Sequence, residues 1–212
     1  GVAQVEKLLR QKESDRIPAL LEKLRADGLF IHVHPLQDAM QPEGDMFERS
    51  PLEVIEEVLQ TLDCKVMVKE VGQGFGPESM KALLQLPLAG IEFAAAGGTN
   101  FAKLELLRSE PEKLLIFEKI AAVGHTATDM VQWANIHKKT LRLENLPCLI
   151  LSGGVRDFLD GYYLLKKSEF PAVYGQASGF LKHAQGEYAE LKSYVQAQVR
   201  GLELAHAFLQ VR

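Results

Sequence analysis

The chain has 212 residues, 47% of them hydrophobic and 25% charged, and carries a formal net charge of −4. That composition is globular, with room for one sizeable core. It lacks the basic surplus that nucleic acid demands, and no apolar run approaches the ~20 residues of a bilayer span, so neither partner is expected. Lys138-Lys139 and Lys166-Lys167 fall on predicted helices and read as solvated faces. Cys64 and Cys148 have no CxxC neighbour and fit reduced thiols in a core. With no signal peptide visible, they point to a cytoplasmic protein.

In chain order, Val5, Leu8 and Leu9 predict a short first helix. Ile17, Leu20, Leu21 and Leu24 predict a second, stopped by Asp27-Gly28. "LFIHVH" follows as a buried strand, and "SPLEVIEEVLQTL" as a helix. The latter opens on Ser50 as N-cap, Pro51 at N1 and Glu53 at N3, a capping-box pattern. "KVMVKEV" is the second strand, "PESMKALLQL" a helix and "GIEFAA" the third strand. A helical region over about 111–139 is interrupted by "VGHTATD", where Thr126 and Asp129 suggest another capping box. "CLILSGG" is the fourth strand, "VRDFLDGYYLLKK" its helix and "AVYGQA" the fifth strand. From Glu187 onward a long amphipathic helix is expected, with only Gln198 off its apolar pattern.

Strands alternating with helices imply a parallel sheet with helices outside, in a single domain over residues 1–212. Each strand turns polar at its C-terminal end. The first ends in His32 and His34, the second in Lys69-Glu70; the third runs into "AGGTN", the fourth into "SGG" and the fifth into "QASG". A β/α barrel and an open doubly wound sheet both place their sites at those ends. Alternation puts Phe30, His32 and His34 on one face of the first strand, and Met67 with Lys69 on one face of the second. In a barrel, His32, His34 and Lys69 would point inward.

Two glycine-containing loops on consecutive strands, Ser152 to Gly154 and Gln176 to Gly179, fit a phosphate cradle. Tight βα turns alone would also explain the glycines. An inward Lys69 must meet an anion or an electron-rich acceptor, or else pair with Glu70 or Glu92. His32 reads either as a satisfied core histidine or, with His34, Gln37 and Asp38 close by, as part of a site. Asp38, Glu43 and Asp45 are oxygen ligands of the type magnesium takes, or else solvated loop acids.

The series "HVHPLQDAMQPEGD", "VKEVGQGFG", "AAAGGTNF" and "LSGGVRD" resembles the type 2 isopentenyl-diphosphate isomerases over essentially the whole chain. The resemblance implies a flavin-dependent (β/α)8 TIM barrel, of which about five strand–helix units, strands 4–8, are recognisable here, so that the chain would be a partial barrel lacking the N-terminal strands. It implies FMN, Mg²⁺ and NADPH as reductant, and proton transfer that interconverts isopentenyl and dimethylallyl diphosphate in isoprenoid biosynthesis, in a homo-oligomer. By position, it makes Gln37 and His32 catalytic, with His32, His34 and Gln37 around the substrate. Lys69, Thr99, Ser152, Gly153, Gly154, Ala177 and Ser178 would hold FMN. Asp38 would stand in the magnesium position, one methylene shorter than the glutamate usual there. Two other readings stand beside this one: an inactive fragment that at most binds flavin or phosphate, and another FMN-dependent barrel oxidoreductase.

Overall fold

The computed structural model describes residues 1–41, 48–143 and 145–212. Five strands form one sheet: β1 (Gly28–His32), β2 (Lys65–Lys69), β3 (Gly90–Glu92), β4 (Cys148–Leu151) and β5 (Ala172–Tyr174). Their spatial order is β1-β2-β3-β4-β5, and every neighbouring pair is parallel. Parallel neighbours need crossovers, and crossovers of one hand between strands laid down in sequence put the helices on one side. A doubly wound sheet would reverse its strand order at a switch point. The sequential order removes that alternative and is consistent with an arc of a β/α barrel.

The two faces of this sheet differ sharply. Ile31, Val66, Val68, Ile91, Leu149 and Leu151 are buried in the main core. Against them pack Val54, Ile55 and Val58 of α4 (Pro51–Thr61), and Met80, Leu83 and Leu84 of α5 (Pro77–Leu84). Met130, Val131 and Ala134 of α8 (Ala127–Leu141) and Leu164 of α9 (Phe158–Lys167) complete that side. Each such Val, Ile, Leu or Met side chain contributes roughly 1.5–3 kcal/mol on burial. The opposite face carries two registered rows. Phe30, Met67, Gly90 and Cys148 form one, and His32, Lys69, Glu92, Ile150 and Val173 the other. Phe30 remains 41% exposed and Val173 53%. In a closed barrel this face is the filled interior.

The helices start where local chemistry says they should. Ser50 Oγ accepts from the Glu53 amide while Glu53 Oε2 accepts from the Ser50 amide, so the expected capping box is present. Thr126 and Asp129 make the same reciprocal pair. The first two helices are α1 (Val2–Arg10) and α2 (Arg16–Leu24). The second ends on Arg25 in the left-handed conformation, and Gly28 instead opens β1. The predicted region 111–139 resolves into α7 (Pro111–Ala121) and α8. Three short helices were not foreseen: α3 (Pro35–Met40), α6 (Phe101–Leu107) and α10 (Ser178–Ala184). The terminal helix α11 (Tyr188–Phe208) is as expected. Its one off-pattern residue has a job: Gln198 Oε1 accepts from the Phe158 amide at 2.9 Å, satisfying an orphan donor at the start of α9. None of the helices is long and apolar enough to cross a membrane, among the described residues.

Candidate active site

The chain turns from β1 directly into α3. Pro35 occupies the first turn, where its missing N–H costs nothing, and His34 is the N-cap. His32 therefore ends the strand on the helix-free face, while His34 already belongs to the helix start. Four residues on, one turn of helix away, the Asp38 carboxylate meets the His34 ring, with Nδ1 to Oδ2 at 2.7 Å. The two imidazoles lie edge-to-face, 6.4 Å between centroids. A cavity of about 400 Å³ gathers His32, His34, Gln37, Asp38 and Lys69, walled by Gln4, Gln41, Val71 and Phe101. A cleft of about 360 Å³ between α8 and α9 is comparable in size. Its charged groups are already engaged, Glu169 with Lys139 and Lys167 with the Arg212 carbonyl, and it lies away from the strand ends, so the β1 cavity is the better site.

Two features set the electrostatics of this cavity. Burial holds the His32 imidazole below its usual pKa, and neighbouring Lys69 adds to the effect. Lys69 itself pairs with neither of the two acids that could have neutralised it. Glu70 Oε2 accepts instead from the amides of Gly72, Gln73 and Gly74, at 2.7, 2.6 and 2.8 Å. Glu92 Oε1 accepts from Ser152 Oγ at 3.1 Å. Among the described residues no carboxylate forms a salt bridge with Lys69. A half-buried cation left in this state can accept an anion or a polarised ring.

Sequence reasoning missed the residue that holds Gln37. Glu105 on α6 is 5% exposed, and its Oε1 accepts from Gln37 Nε2 at 3.3 Å and from Gln41 Nε2 at 3.0 Å. Arg108 steadies the other oxygen at 2.9 Å. A carboxylate accepts only, so it fixes which end of the Gln37 amide faces it and leaves Oε1 for a ligand. The available signal was a glutamate beside Ala102 and Leu106 on the buried side of a helix.

The other candidates sit above β3, β4 and β5, outside this cavity's lining. Thr99 is exposed on the loop after β3. Ser152 Oγ bridges Glu92 and the Ala94 amide. Gly153 and Gly154 have φ of +88° and +76°. A Cβ at Gly153 would overlap the backbone N and O of Ala95, and one at Gly154 would come within 3.2 Å of Ala96 O. Loop-on-loop packing therefore requires glycine at 153, and the positive φ favours it at 154. Ala177 and Ser178 lie exposed where α10 begins. Next to them Gln176 Oε1 is buried with no partner among the described residues, while its Nε2 donates to Arg156 O and Tyr194 Oη. An orphaned acceptor there suits a hydroxyl-bearing ligand. As for metal, Asp38 is the one candidate carboxylate in the cavity, and no group of three metal-ligating side chains occurs among the described residues. Glu43 and Asp45 lie outside the described residues.

Sequence comparison shows the family of the chain. The chain is 31% identical over 205 residues to a protein of Bdellovibrio bacteriovorus named isopentenyl-diphosphate delta-isomerase, covering 93% of this chain and 54% of that one. The protein of the same name from Stutzerimonas stutzeri is 30% identical over 207 residues, covering 97% and 56%. The chain is homologous to isopentenyl-diphosphate delta-isomerases. A Pyrococcus abyssi isomerase is 35% identical over 147 residues, covering 68% and 37%. The chain spans about half the length of the isomerases it matches. No protein-family model matches it.

Proposed function

We propose that this chain carries the substrate-facing part of an isopentenyl-diphosphate isomerase, corresponding to strands 4–8 of a (β/α)8 barrel. Such an enzyme interconverts isopentenyl and dimethylallyl diphosphate by moving one proton to the double bond and removing another. The observation that carries the reading is Gln37, held by buried Glu105 in the same cavity as His32 and Lys69. The homology to named isomerases supports it independently.

In this reading a reduced FMN, kept reduced by NADPH, supplies the acid–base chemistry without net redox change. The chain's own residues bind and orient. Lys69, which forms no carboxylate salt bridge among the described residues, would offer the cation for the flavin ring, and Thr99, Ser152, Gly153, Gly154, Ala177 and Ser178 would hold FMN at the ends of β3, β4 and β5. Gln37 Oε1 orients the reacting carbons, and a neutral His32 donates or accepts at the substrate's polar end. His34 faces the diphosphate. Asp38 would give magnesium one carboxylate, already shared with His34, so the ion's other oxygens would come from diphosphate and water. No step here depends on it.

The test supplies isopentenyl diphosphate, FMN, NADPH and Mg²⁺ in deuterated water and follows deuterium incorporation by NMR. Turnover without net NADPH consumption supports the isomerase and excludes an FMN oxidoreductase. Gln37→Ala should abolish isomerisation and leave flavin bound; loss of flavin would refute its role. Lys69→Ala should weaken FMN binding, and unchanged affinity would refute the flavin contact. A second reading, a catalytically silent fragment binding flavin or phosphate at most, is favoured by the exposed Phe30 and Val173 on the helix-free face. Flavin binding without turnover would select it.

A further inference from the structure

The helix α7 is apolar on two opposite sides. Leu114, Phe117 and Ala121 pack with Met40, Ala102 and Leu106 in a small satellite core. The other side shows Leu115, Ile116 and Ile120, with Val123 just past the helix end, and all four are exposed. Leu115 is 78% exposed and Ile116 58%. At 100° per residue these positions form one stripe, with Glu112 and Lys119 within it. A soluble helix normally buries one stripe, so the second needs a partner.

Charge identifies that partner. Lys103 pairs with Glu118, and Lys113 donates to Met40 O, so these charges are used within the chain. Glu112 and Lys119 take part in no ion pair among the described residues. If α7 lies antiparallel against its own copy, with the twofold axis between Leu115 and Ile116, Glu112 faces Lys119 of the copy, twice. The apolar residues then meet at the centre. A parallel arrangement would oppose like charges. The flanking charges balance, so nothing favours an anionic membrane over a protein.

We propose that the outer face of α7 is a twofold self-association surface, closed by Leu115 and Ile116 at its centre and by two reciprocal Glu112–Lys119 ion pairs. It is isologous, as a C2 interface must be. Its residues lie outside the lining of the β1 cavity. The next element back in the chain, α6, carries Glu105, so the surface would also brace the segment that holds Gln37.

Sedimentation velocity on the whole chain over a micromolar dilution series tests this. A species of twice 23.6 kDa is expected. Glu112→Lys alone, or Lys119→Glu alone, should weaken association about tenfold or more, because two attractive exposed pairs become repulsive. The double exchange Glu112→Lys with Lys119→Glu should restore it. All of these are exposed positions, and circular dichroism checks that each variant is folded. A monomer throughout the series overturns the proposal. So does a dimer indifferent to the single reversals, or one that the double exchange fails to restore.

Discussion

Glu70 should contribute far more to this fold than its place between a strand and a loop suggests. It is buried, and one carboxylate oxygen accepts three consecutive amides, those of Gly72, Gln73 and Gly74. A hydrogen bond to a charged group is worth about 1.5–3 kcal/mol. The three share one acceptor, and water can reach the outer part of the loop, so the effects do not add fully. Glu70→Ala should cost about 3–5 kcal/mol. Glu70→Gln keeps an acceptor but not the charge and should cost about 1–2 kcal/mol. Urea unfolding gives the total, and hydrogen exchange at residues 72–74 gives the local part. The loop also binds its neighbours: Gln73 O accepts from the His125 amide, and Gln73 Nε2 donates to Val123 O. Protection should therefore fall around His125 as well. An alanine variant within about 1 kcal/mol of the parent, with exchange at 72–74 unchanged, would refute the account.

Other consequences are as direct. Gly153→Ala would meet the Ala95 backbone at a positive φ and should destabilise by about 2 kcal/mol or more, read by thermal or urea unfolding. His32 should titrate below 6.5 by NMR. A histidine with a lowered folded pKa binds fewer protons folded than unfolded, so its contribution to stability is present above the unfolded value and lost as pH falls through the folded one. Glu105→Ala should free both glutamine amides and cost about 1–3 kcal/mol, and the Gln37 side-chain NH₂ resonances should lose their dispersion.

Periodicity and caps made most of the architecture legible. The capping box at Ser50 and the apolar strands are local patterns, and local patterns survive into the structure. The three unforeseen helices are six or seven residues long. At that length a helix has little stability of its own and exists through what it packs against. The site divides along the same line. His32 and Lys69 could be placed from strand parity alone, and the register sets them side by side. Glu105 stands 68 residues from Gln37 in the chain, and no local pattern couples them. The fourth strand's loop reads from sequence as a ligand cradle or a tight turn, and only the folded chain shows that the backbone of Ala95 fills the space a Cβ at Gly153 would need.

The sequential strand order also bears on how the chain assembles. Each strand pairs with the one made just before it, so the sheet can lengthen in step with synthesis from the ribosome. The longest wait falls between β3 and β4, where α6, α7 and α8 intervene. Closing so long an excursion delays pairing and leaves the β3 edge open. The satellite core shortens that exposure. Met40, Ala102, Leu106 and Ala121 all precede β4, so they can close while it is still unmade. The small cluster beside the candidate site is thus placed to act as a co-translational clasp, holding the nascent crossover beside the strand edge until β4 arrives.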